Sequence, residues 1–240
     1  HSPAFYTPLA GGTGAFLAWA LIEPNYADTD DSAWAYLIFP MVCGLSALFI
    51  GASEGIASRN LKRGLLCGVT GLGVGAVGGL VTLFAAGLIF SMSVLFAIKA
   101  APGFNPAHPS GLGLFLLMSG RSTAWALAAL AASAGQGAAL RSKSLLASGL
   151  VGGALGGALG GLVFDPISLV ATASGQAWIS RGVGFTCVGT FAGLLVGIVQ
   201  LASKEAWLLM RAGPLAGKQY ILFRNPTVIG SSPDADIYIF

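Results

Sequence analysis

Residues 151–166, VGGALGGALGGLVFDP, set six glycines in sixteen positions on a four-residue rhythm and close on an acid and a proline. In water such a segment would not hold a helix, because each interior Gly costs roughly 1 kcal/mol relative to Ala. In lipid the same spacing is useful. Glycines at i and i+4 form a bare stripe that lets a neighbouring backbone approach, and dispersion contacts replace the hydrophobic drive that lipid removes. The stretch is therefore a question about solvent, and composition answers it. Hydrophobic residues make up 55% of 240 positions and charged residues 9%, with a mean hydropathy of +0.80, whereas a water-soluble domain carries about 25% charge. The expectation is an all-α polytopic membrane protein, since a bilayer core is crossed only by helices or closed barrels and these apolar runs are far longer than barrel strands.

Apolar segments fall at 9–22, 34–57, 65–90, 122–140, 145–164 and 182–201, which predicts six crossings in a transmembrane domain over 1–204. The first is short. The run GLGLFLLMSG before Arg121 is too short to span and is expected to be a re-entrant or interfacial piece of the preceding loop. Short-loop Lys and Arg stay on the cytoplasmic side. Arg59, Lys62 and Arg63, then Arg141 and Lys143, then Lys204 place three loops inside and both ends of the chain in the cytoplasm. The opening HSPAFYTP lacks the charged start and small-residue cleavage site of a signal peptide, and the natural N-terminus is expected upstream of His1. Cys43, Cys67 and Cys187 lie in separate apolar runs and read as small buried hydrophobes.

An internal repeat organises the chain. Shifting the sequence by 82 residues aligns 47–81 with 129–163 without a gap, and 14 of 35 positions are identical. Identities include Gly55/Gly137, Arg59/Arg141, Gly71/Gly153 and Gly75/Gly157. A weaker match sets GGTGAFLAWALIEP on GALGGALGGLVFDP, pairing Gly11 with Gly153 and Glu23 with Asp165. The expected unit is a hairpin, repeated three times in one sense as parallel repeats, unlike the inverted repeats of many secondary transporters. Gly71, Gly75 and Gly79, with Gly153, Gly157 and Gly161, are the expected packing stripes, and the odd-numbered helices the expected packed core.

Arg121 and Arg181 break the charge rule, because each opens a returning helix at its outer end. Glu23 and Asp165 end outgoing helices at the same depth, so Arg–carboxylate pairing is available where unpaired charge is costly. The alternatives are snorkelling to headgroups or a charged pore mouth. Glu-Pro and Asp-Pro are also expected to stop their helices. Glu54, in GASEGIAS, is the intramembrane acid; it is a candidate for a proton or cation, or for a surface ion pair with Arg59 and Lys62.

Other chemistry is sparse. His1 and His108 lie outside the apolar runs, so axial ligation within the bundle has no histidine to use. No nucleophile elbow, Walker loop, HExxH or thiolate set occurs, and GLGVGAVGG lies inside an apolar run rather than after a strand. An enzyme, a cofactor and a bound metal are not expected. A net charge of +3 with no basic tract gives no case for nucleic acid.

Composition changes near residue 205. The runs AWLLM, QYILF, TVIG and DIYIF are separated by GPLAGK, RNP and SSPDAD, which is strand-and-turn punctuation. This stretch resembles the start of a forkhead-associated (FHA) domain, where a strand, a G-x-x-x-G-K-x-[FY]-x-L segment, a T-x-I-G-R-S turn and A-D-I follow in order. The whole chain also resembles bacterial multi-helix membrane proteins that carry such a domain. The resemblance implies a β-sandwich beginning at 205–240 and a partner-binding turn at Gly230, Ser231 and Ser232. Two departures matter: Ser231 stands where the family has its phosphate-contacting Arg, and the tail supplies about a third of such a domain, too few strands to bury a core. The expectation is a scaffold in a bacterial inner membrane that presents an FHA-type unit to a cytoplasmic protein partner. Membrane lipids surround it, and a homo-oligomer or a larger membrane complex are the further partners considered. The alternatives are an ion channel or transporter, and a structural subunit of such a complex.

Overall fold

The computed structural model describes the 240-residue chain except residues 1–2, 27–32, 58–59, 106–107, 174–176, 203–205, 214–215, 223–226, 233–234 and 239–240. Six helices dominate: α1 (Pro3–Ile22), α2 (Ile38–Ala57), α3 (Leu61–Ala100), α4 (Gly111–Ala139), α5 (Lys143–Ala173) and α6 (Ala177–Ala202). All six are long and apolar enough to cross a membrane. Each packs on the next around a ring, α6 returns to α1 and closes it, and α2, α4 and α6 meet across the middle.

Several boundaries differ from expectation, each for a physical reason. α1 is a full 20 residues, because the polar Thr7 buries its hydroxyl in a 2.6 Å bond to the Pro3 carbonyl and so joins the helix. GLGLFLLMSG is no separate piece. It forms the first turns of α4, and α3 runs on to Ala100 to meet it. Small residues allow that pairing: Gly120 lies against Ser93 and Gly113 under the Phe104 ring, with Ala97 and Leu117 buried between. Glu-Pro at 23–24 does end α1, which tightens into a short 3₁₀ turn at Glu23–Asn25. Asp-Pro at 165–166 does not, and α5 continues through Pro166 to Ala173. The residue before Pro is only biased against helix, and in membranes neighbouring groups re-satisfy the carbonyl a proline leaves without its donor.

The packed centre is also not where the glycines are. Val42, Cys43, Trp125, Ala128, Ala132, Phe185 and Val188, from even-numbered helices, form most of the core, with Ala15, Ala18 and Phe164 completing it. The odd-numbered helices carry the stripes and sit outside, each as a smooth bed for an even-numbered helix. A methyl on Gly71 or Gly75 would stand 2.5 Å from the carbonyl oxygen of Ala47 or Cys43, and one on Gly79 would stand 2.6 Å from that of Phe39, all on α2. On α5, Gly157 faces the Trp125 carbonyl at 2.5 Å, Gly161 faces Ser122 and Arg121, and Gly153 faces Ala129 and Ser133, all on α4. The partners 39, 43 and 47 differ from 121, 125 and 129 by the 82-residue repeat. The close-packed units are thus α2–α3 and α4–α5. The chain ends supply a third, where Gly189 and Gly11 meet backbone to backbone between α6 and α1.

Among its described residues the tail adds four short strands, β1 (Ala206–Leu209), β2 (Gln219–Leu222), β3 (Ile229–Gly230) and β4 (Ile237–Tyr238). β1 and β2 pair antiparallel, and β3 and β4 pair parallel. The β1–β2 connection turns on Gly213 and Gly217, at φ of 89° and 82°, which L side chains rarely adopt. The Tyr220 hydroxyl is buried with no hydrogen-bond partner among the described residues, and burial pushes its pKa above the usual tyrosine value.

Candidate functional site

Three groups of polar residues stand out from the apolar bundle: two charged clamps at one end, a buried amide pair toward the other, and the tail turn. The clamps join α4 to α5 and α6 to the end of α1. Arg121 Nε donates to Asp165 Oδ1 at 2.8 Å. Its guanidinium lies between the Phe90 ring, 4.5 Å from the centroid, and the Phe164 ring at 4.8 Å. Those rings hold a cation by their quadrupoles while excluding water. Asp165 is buried, and its Oδ2 has no partner among the described residues.

The second clamp is bidentate. Arg181 Nε donates to Glu23 Oε2 at 3.1 Å and its Nη2 donates to Oε1 at 2.5 Å, and Tyr26 covers the guanidinium at 4.6 Å. Parallel fork-to-fork bonds add direction as well as charge. Beside it Trp19 packs over Gly182 and stacks on Trp178, with ring centroids 6.0 Å apart. The repeat places Phe39 and Leu83 where the α4–α5 unit has Arg121 and Asp165. Two units are therefore clamped by charge, and the third has an aromatic and a leucine at those positions.

Neither arginine faces an open axis. Between α2, α4 and α6 the space is occupied by Trp125, stacked on Phe39 at 4.8 Å and tilted against Phe185 at 5.6 Å, while Cys43 Sγ reaches the Ala128 carbonyl at 3.4 Å. Toward the other end, Gln200 Nε2 donates to Gln136 Oε1 at 2.9 Å, with both residues buried. A buried amide left alone would cost about 1–3 kcal/mol, so the pair fixes α6 against α4. Glu54, the repeat counterpart of Gln136, lies on α2, and its side chain is outside the described part of the structure, as is Arg59. Among the described residues no group of three His, Cys, Asp or Glu could hold a metal.

At the tail turn Ser231 and Ser232 are exposed and Gly230 is half-buried. The turn is braced from behind: Val228 N–H donates to Asp236 Oδ2 at 2.9 Å and Ile237 N–H to the Val228 carbonyl at 3.0 Å. Arg63, in the first turn of α3, donates from Nη1 to the Asp236 carbonyl at 2.5 Å, which ties the tail to the bundle. Reasoning from sequence missed this bond, the aromatic faces on the two arginines and the Gln136–Gln200 pair. Only the last left a trace, as a glutamine inside an apolar run. No family model, curated protein or solved structure matches the chain.

Proposed function

We propose that the chain is a membrane anchor or scaffold of a bacterial cytoplasmic membrane, with both ends on the cytoplasmic side, holding an FHA-type recognition unit at that face for complex assembly or phospho-signalling. The observation that carries this is the Arg63–Asp236 bond. It sets the tail at the end of the bundle where Lys62, Arg63, Arg141 and Lys143 gather, the end the positive-inside rule assigns to the cytoplasm. There Ser231 and Ser232 remain exposed to a partner. Phosphothreonine capture relies on charge-assisted bonds, and Ser231 contributes no charge, so the unit docks protein with weak dependence on phosphate. Titration of the full-length protein with phosphothreonine and unphosphorylated peptide libraries tests this beside a Ser231→Arg variant. The variant is expected to gain at least about tenfold in phosphopeptide affinity. Tight, phosphate-dependent binding by the Ser231 form overturns the proposal, and so does a tail that protease reaches only from the outer face.

A structural subunit of a larger membrane complex is the second reading, favoured by the apolar face that α3 leaves uncovered. Pull-down from native membrane with and without phosphatase separates the two: partners lost with phosphatase mean signalling, and partners retained mean assembly. An ion channel or transporter has less support, because aromatic rings fill the axis of the bundle.

A further inference from the structure

The outward face of α3 is too long for the bilayer that suits α1 and α5. At 1.5 Å per residue, exposed apolar side chains run from Phe5 to Leu21 on α1, about 24 Å, and from Val151 to Val170 on α5, about 28 Å. Both match a hydrocarbon core of about 30 Å. On α3 the same kind of surface runs from Leu66 through Val69, Val77, Phe84 and Leu88 to Ile98, each at least half exposed. That is about 50 Å. Tilting the bundle would bring α3 into the core only by drawing the ends of the other helices into it, and thickening the bilayer by some 20 Å is far beyond the usual few ångströms of mismatch. The excess, which lies beyond the depth of the arginine clamps, therefore needs protein to cover it.

We propose that this face is covered by the same face of a second copy of the chain, related by a two-fold axis along the membrane normal. Three properties select a second copy. From residue 64 to residue 98 there is no charged residue, so identical faces meet without the like-charge cost that a two-fold axis imposes on a charged surface. Gly73 and Gly87, four turns apart on this line, have nothing within 4 Å of an added methyl, and such bare positions are where membrane helices approach closely. A strip about 50 Å long and 10–12 Å across offers about 500–600 Å² per partner, at the lower end of what a specific interface buries.

The test is cysteine cross-linking of the full chain in native membranes, in a Cys187→Ser background. Ser91 lies on the same line and is exposed. Oxidation of Ser91→Cys or Gly87→Cys is expected to give an adduct of twice the chain mass, while Leu9→Cys on the exposed face of α1 gives none. Adding Gly73→Trp to Ser91→Cys should reduce that adduct at least about tenfold. An adduct of another mass would mean that a different protein covers the face, and monomer alone would mean that lipid does. Either result overturns the proposal, as does equal cross-linking from Leu9→Cys. Should the variants fail to insert, the unaltered chain carrying one dye in lipid nanodiscs is expected to bleach in two steps, and one-step bleaching overturns it.

Discussion

Helices α3 and α5 are copies by the 82-residue repeat, yet one keeps a long bare face and the other is closely flanked on two sides. In their most apolar windows, 11% of α3 is buried and 44% of α5. The difference is traceable to a few side chains. α5 has glycine doublets at 152/153, 156/157 and 160/161; the second of each faces α4, and the first faces Val196, Ala192 or Val188 of α6. α3 has a doublet only at Gly78/Gly79, with Thr70 and Val74 where the other two first members would be. A doublet makes a helix smooth on two sides and admits two close neighbours. α3 meets α4 instead at scattered positions, such as Gly71 against Gly135 and Gly78 against Ala131.

The sharpest way to break this comparison is to fill one position on each helix. Gly157→Leu pushes a branched side chain into the Trp125 carbonyl and the Ala129 methyl, and is expected to cost at least about 3 kcal/mol and to lower the melting temperature sharply in detergent. Gly73→Leu meets nothing within its own bundle and is expected to leave the melt of the detergent-separated chain within about 0.5 kcal/mol. Equal effects would remove the distinction between the helices.

Next come the clamps. Breaking one partner, by Glu23→Gln or Arg181→Gln, is expected to destabilise by about 3 kcal/mol, with the double variant milder than the sum. The same cycle on Arg121 and Asp165 should give a smaller coupling, because only one hydrogen bond joins them. Zero coupling in both would leave snorkelling as the better account of these arginines. Transplanting the clamp sharpens the repeat itself: Phe39→Arg and Leu83→Asp should each destabilise, and together recover about 1 kcal/mol. Failure to recover would mean that the third unit is not geometrically equivalent. The amide pair gives a further cycle. Gln136→Leu or Gln200→Leu alone should cost about 1–3 kcal/mol by orphaning its partner, and both together should be nearly neutral.

Much of this architecture was legible in residue order. Helix number followed from apolar length, because a bilayer leaves the backbone few other choices. Charge spacing nominated Arg121, Arg181, Glu23 and Asp165 and left four pairings open. Folding selected two of them, across separations of 44 and 158 residues, through helix neighbours that no local pattern reports. The Asp-Pro pair misled for a related reason: a helix stop is a local preference, and α5 has neighbours that offset it.

What the sequence by itself determined was the solvent, the number of crossings and the stripes along which backbones can meet, since these depend on composition and on periods of a few residues. Only the tertiary structure decided that the even-numbered helices take the centre, that α6 closes on α1, and that α3 keeps one long face bare. Those outcomes depend on which helix each stripe faces. In a membrane that is set by the fit of whole surfaces, where each contact is weak and many must be made at once.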